Sequence, residues 1–81
     1  MEAPASRLLT DLQPGESAVI AEILGDDSLA MRLMEMGILE GEGISLIGYA
    51  PLGDPIEFEI RGYRISLRAA EARRVRLEAA S

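Results

Sequence analysis

Apolar and polar positions alternate most cleanly between residues 56 and 68. Ile56, Phe58 and Ile60 take one parity against Glu57, Glu59 and Arg61. Beyond Gly62, Tyr63, Ile65 and Leu67 alternate with Arg64, Ser66 and Arg68. A period of two belongs to a strand with one buried face. With Arg61-Gly62 as a two-residue turn, Ile60 faces Tyr63, Phe58 faces Ile65 and Ile56 faces Leu67. Glu59 then meets Arg64 on the other side. One register satisfies both faces, and a slip of one residue breaks both. Arg is a poor first residue for a type I′ turn, so a wider turn in the same general register stays open. This parity points Phe58 and Tyr63 inward.

The period changes between residues 29 and 36. At 100° per residue, Leu29, Leu33 and Met36 share one stripe, the spacing of a helix with a buried face. Asp26, Asp27 and Ser28 offer N-caps and negative charge at the positive end of the helix dipole. Gly37 is placed to end the helix in a left-handed conformation, and Ile38 to pack on Leu33. Ala30, Met31 and Met34 fall off the core stripe and are expected to form a second, softer apolar surface. Glu35 lies well round toward the far side.

Gly and Pro divide the remainder into short pieces. Leu8, Leu9 and Leu12 form an apolar patch ahead of a Pro14-Gly15 turn. Ser17 to Leu24 reads as the first strand, and Ile44 to Ala50 as the second, after a turn at Glu40–Gly43. Gly48 inside that strand predicts a bulge or tight bend. Pro51 to Pro55 is a loop, residues 69–73 a helical turn, and Val75 to Leu77 a last short strand. The expected fold is mainly β, a small closed or partly open barrel of about five strands with one inserted helix and a helical turn before the last strand. Residues 1–7 are expected to be a flexible lead-in, 8–78 the domain and 79–81 a frayed end.

Composition narrows the function classes. The chain has 81 residues, about the least a single core can hold together. It has no Cys and no His, and its eight basic residues are all Arg. There is therefore no disulfide, no thiolate or imidazole for a transition metal, and no nucleophile–base pair. The paired carboxylates Asp26/Asp27, Glu40/Glu42 and Glu57/Glu59 read as capping, turn and strand face, so no enzyme activity is expected. Gly41-Glu42-Gly43 and Gly48 make no phosphate loop, since no helix or Lys follows. No metal site and no cofactor is expected. No apolar run reaches the roughly 18–20 residues of a membrane span, and no secretory signal is visible. A cytoplasmic location without membrane insertion is the expectation.

Charge is uneven. Residues 1–40 hold eight acids and two Arg, while residues 41–81 hold six of each. The acidic half discourages phosphate backbones, and the Arg61, Arg64, Arg68, Arg73, Arg74 and Arg76 group lacks an exposed aromatic platform. No nucleic-acid partner is expected; a protein-binding module is the better class, with weak homo-oligomerisation through an exposed strand edge open beside it.

The order of motifs resembles a known family. Leu12-x-Pro-Gly-Glu16, Arg32-Leu-Met-Glu-Met-Gly37-Ile-x-x-Gly41, Ala50-Pro-Leu-Gly-Asp-Pro55 and Arg61-Gly-Tyr-Arg-Ile-Ser-Leu-Arg68 are together similar to FeoA. The likeness covers residues 8–78. It implies an SH3-like barrel and a non-enzymatic accessory role in bacterial ferrous iron uptake. The implied partner is FeoB, a membrane transporter with a cytoplasmic GTP-binding domain. The same fold forms the C-terminal domain of DtxR-like iron-dependent repressors, which makes a stand-alone regulatory domain the alternative. If the transporter has a contact surface here, Met31, Met34 and Glu35 with the loop Pro51, Leu52, Gly53 and Asp54 are the candidates.

Overall fold

The computed structural model describes residues 7–79. The expected lead-in up to residue 6, and residues 80–81, lie outside the described residues. Six strands form one antiparallel sheet in the order β1-β6-β2-β3-β4-β5. They are β1 (Arg7–Leu8), β2 (Ser17–Ile23), β3 (Gly43–Tyr49), β4 (Ile56–Ile60), β5 (Tyr63–Leu67) and β6 (Val75–Leu77). Helix α1 (Ser28–Glu35) joins β2 to β3, and the one-turn helix α2 (Ala69–Ala72) joins β5 to β6. Among the described residues the strand ladder remains open, with β1 and β5 at its edges, so hydrogen bonding does not close the expected barrel. The strand beyond the expected five is β1. The Leu8–Leu12 patch splits into this short strand and a 3₁₀ turn, and Leu9 and Leu12 both enter the core.

The β4–β5 hairpin has the expected register at all five pairs, from Ile56 opposite Leu67 to Ile60 opposite Tyr63. Arg61 and Gly62 both take positive φ, 55° and 88°, as a type I′ turn requires. Two details of the expected hairpin change. Tyr63 shares the parity of Phe58 but stays 48% exposed, because the strand end lies at the rim of the core. Its hydroxyl reaches instead toward the Met36 carbonyl at 3.5 Å. Arg64 stands opposite Glu59, yet its guanidinium leans diagonally to Glu57 at 3.9 Å.

Helix α1 begins and ends where its side chains dictate. The Asp27 carboxylate accepts the Ala30 N–H and caps the start. At the other end the Gly37 N–H donates to the Met34 carbonyl (3.0 Å) and the Ile38 N–H to the Leu33 carbonyl (3.2 Å). Gly37 has φ 95°, so this is the Schellman ending that the sequence predicts. The core stripe is wider than expected on one side. Ala30 is fully buried rather than part of the outer surface, since its small side chain fits where the helix meets the sheet.

Strand β2 serves two partners. Residues 17–19 pair with β3, and from Ile20 onward the strand pairs with β6, with a bulge between Ile20 and Glu22. A second bulge, at the expected place, leaves Ile47 of β3 unpaired between Leu46 and Gly48. Such bulges sharpen the twist and bend the sheet round a shared core. Ile20, Leu33, Ile38, Phe58, Leu67 and Leu77 are fully buried there. Among the described residues no polar or charged one is buried.

Candidate functional site

The loop between β3 and β4 is built as a rigid knob. The Ala50 N–H donates to the Pro55 carbonyl (3.0 Å), closing its base, and the Gly53 N–H donates to the Ala50 carbonyl (2.7 Å). Pro51 sits at the second position of that four-residue turn, where its fixed φ belongs. Leu52 follows at the third position with 96% of its surface exposed. Asp54 ties the loop to its surroundings. One carboxylate oxygen accepts the Ala69 N–H at 2.8 Å and the other lies 3.5 Å from the Arg68 guanidinium. Asp54 therefore fixes the first turn of α2 against the loop. A shallow pocket of about 150 Å³, lined by Tyr49, Ala50, Pro55, Glu57 and Ser66, opens beside it.

The helix half of the candidate surface has a different character. Met31 is 57% and Met34 42% exposed. Glu35 is exposed as well and forms no ion pair among the described residues. The two halves are linked through α2. Arg32 donates to Glu71 at 2.8 Å, Glu71 accepts the Arg68 N–H at 2.8 Å, and Arg68 reaches Asp54. On the helix wheel Met31 lies about 100° and Met34 about 160° from Arg32. The methionines thus turn away from the side of α1 that leads to the loop. The expected surface divides into two patches, with Arg32, Glu71, Arg68 and Asp54 between the helix and the knob.

Arg side chains are neutralised almost throughout. Arg61 pairs with Glu42, Arg64 with Glu57, Arg68 with Asp54, Arg74 with Asp27 and Arg76 with Glu22. Apart from Arg73, the Arg group of the second half is a set of local ion pairs. Two carboxylates are held below their ordinary range. Asp27 is lowered first by the Ala30 N–H and then by Arg74, and Glu16 first by the Gln13 N–H and then by Arg7. Both are anchoring groups: one caps α1, the other ties the Gln13–Glu16 turn to β1. Among the described residues no three acidic side chains are grouped to hold a metal ion. The sequence left Asp54's grip on α2 without a role, because it joins residues 15 apart.

Comparison with known proteins places this geometry. A model of the FeoA domain matches residues 7–79. An Fe(2+) transport protein A/Fe(2+) transporter FeoB fusion protein of Porphyromonas gingivalis is 36% identical over 70 residues. That match takes in 86% of this chain but only 8% of the fusion protein. A FeoA-like protein of Clostridium acetobutylicum superposes with a TM-score of 0.85 at 30% identity, covering 99% of this chain and 92% of that one. FeoA of Stenotrophomonas maltophilia, described as an SH3 domain protein and solved in complex with zinc, gives 0.78 at 30% identity over 89% of both chains. A manganese-dependent transcriptional repressor shares the fold at 16% identity, with a TM-score of 0.81 over 44% of its length.

Proposed function

This chain belongs to the FeoA family, and from that premise we propose that it is a non-enzymatic accessory protein of ferrous iron uptake that binds the cytoplasmic part of a FeoB-type transporter. One observation carries the reading: a relative joins the FeoA-like segment and the transporter FeoB in a single polypeptide. Fusion fixes two domains at high effective concentration, which serves an association that separate chains must achieve by affinity. A cytoplasmic location follows from the same reading. Among the described residues no helix is long and apolar enough to cross a membrane.

The Leu52 knob is the better-founded of the two patches for this contact. Exposing a leucine on a hydrogen-bonded turn gives a partner an apolar anchor whose backbone is already ordered, so little entropy is lost on docking. Met31 and Met34 form the second, more adaptable patch. The test is titration of the transporter's cytoplasmic GTP-binding domain with the intact chain and with Leu52→Asp and Met34→Asp variants. Loss of about tenfold or more in affinity for Leu52→Asp, with the fold intact, supports the knob. Unchanged binding by both variants removes both patches, and no binding by the intact chain removes the proposal.

The second reading, a stand-alone regulatory domain akin to the C-terminal domain of DtxR-like repressors, rests on the fold shared with the manganese-dependent repressor. Nucleic acid itself is not the proposed partner. Among the described residues every Arg of that group except Arg73 lies within ion-pair distance of a carboxylate, and an acidic chain carrying a net charge of −6 repels a phosphate backbone.

A further inference from the structure

The two edges of the sheet are unlike. Strand β1 lies at one edge, at the start of the described residues. Strand β5 is five residues of alternating pattern, Tyr63-Arg64-Ile65-Ser66-Leu67, with no Pro, Gly, Lys or bulge. In a hairpin with a two-residue turn, the pair flanking the turn is hydrogen-bonded and the next pair is not. Tyr63, Ile65 and Leu67 therefore direct their backbone N–H and C=O groups at β4, while Arg64 and Ser66 direct theirs outward. Both of those residues are exposed. Outside the strand ladder, no backbone hydrogen bond among the described residues involves either of them.

We propose that the outer edge of β5 is a self-pairing surface, on which a second copy of this chain adds its own β5 antiparallel about a two-fold axis at Ile65. The pairing is self-complementary position by position. Arg64 and the second copy's Ser66 exchange two backbone hydrogen bonds, and symmetry repeats the exchange at Ser66. Ile65 faces Ile65, and half-exposed Tyr63 faces Leu67 across the axis. No like charges stand opposite one another. Arg64 lies only loosely against its own Glu57, and Glu57 neighbours Ser66 on the adjacent strand. In the pair, each Arg64 comes to lie beside the second copy's Ser66, with that copy's Glu57 one strand further on, about 10 Å away backbone to backbone and on the same face. Neither of the patches assigned to the transporter contact is used, so the pairing and that contact are independent.

The experiment is sedimentation of the intact chain, with amide hydrogen exchange, across concentrations from about 10 µM to about 1 mM, the range in which so small an interface associates. Expected is a mass rising from 8.7 kDa toward its double. The Arg64 and Ser66 amides should slow together with concentration, while the Gly62 amide does not. Ser66→Pro removes an outward N–H and no ladder bond, and should weaken association at least tenfold. Arg64→Glu turns an attraction toward the second copy's Glu57 into a repulsion and should weaken it too, without touching backbone donors. A monomer at every concentration with both amides exchanging freely overturns the proposal. So does a dimer that survives Ser66→Pro in a folded chain. Protection of these amides solely on addition of the transporter's cytoplasmic domain also overturns it, and gives the edge to that partner.

Discussion

The outer face of α1 and the tip of the β3–β4 loop both present apolar side chains to water, but for different reasons. Nearly every feature of α1 has a task in the fold. Its start is capped by Asp27, its end is closed by Gly37, and Ala30 and Leu33 are fully buried. Met34 borders the buried stripe, and partial exposure is what a border position gives. The loop is the reverse. Its backbone is held at Ala50, Gly53 and Asp54, yet the side chain at its tip packs on nothing. Exposure at the edge of an amphipathic helix follows from geometry. Near-complete exposure of a leucine on a pinned turn does not, and it is the stronger sign of an external contact.

If that contrast is right, damage to the helix registers as lost stability and damage to the knob as lost binding. The largest effect belongs to the buried side. Leu33→Ala should cost about 2–5 kcal/mol, lost burial plus the cavity left behind, measured by urea unfolding with CD. In a domain this small such a loss is a large part of the total stability. A cost below about 0.5 kcal/mol would show that α1 is not seated on the core.

Gly37→Ala comes next, through two separable causes. Alanine at φ 95° is strained by about 1–2 kcal/mol. An added Cβ would also stand 2.9 Å from the Tyr63 hydroxyl oxygen. Tyr63→Phe removes that oxygen. The same Gly37→Ala change should therefore cost less in a Tyr63→Phe background, and the difference measures the contact. Equal costs in both backgrounds would leave backbone strain as the whole effect.

These residues also show how far the sequence carries. The hairpin register, both helix ends and the β3 bulge follow from local rules, so Ile60 facing Tyr63 and the Gly37 stop are legible in the residues. Periodicity puts Ala30 outside and Tyr63 inside, but burial depends on what lies above a position, which periodicity does not carry. β1 leaves no local signal, because Arg7 and Leu8 pair with Leu77 and Arg76, some 70 positions away. The candidate surface was legible as two stretches of unusual composition. Their separation by Arg32, Glu71, Arg68 and Asp54 is a product of tertiary packing.

A smaller effect probes the cap. Removing the Asp27 side chain with Asp27→Ala should lower the unfolding midpoint, since the Ala30 N–H loses its partner and Arg74 its counter-ion. The sign of the pH dependence follows from the direction of the shift. Asp27 and Glu16 both titrate lower in the folded chain than when unfolded. Their contribution is complete above the ordinary carboxylate range and is lost as pH falls through the folded values. Thermal stability should drop on that acid limb, and Asp27→Asn should make the drop shallower. A limb equally steep in the variant would assign the acid sensitivity elsewhere.

The smallest effect on stability is expected at the knob. Leu52→Ser should change the unfolding free energy by less than about 0.5 kcal/mol, because a side chain 96% exposed has almost no contacts to lose. The turn is preserved, since Pro51, the Gly53 N–H and the Asp54 anchors are untouched. The same variant should nevertheless lose most of its affinity for the transporter's cytoplasmic domain, whereas a destabilised Leu33→Ala chain, assayed while folded, should keep it. Binding retained by Leu52→Ser and lost by Met34→Asp would invert the comparison. In that case the border position on the helix is the contact, and the knob owes its exposure to loop geometry alone.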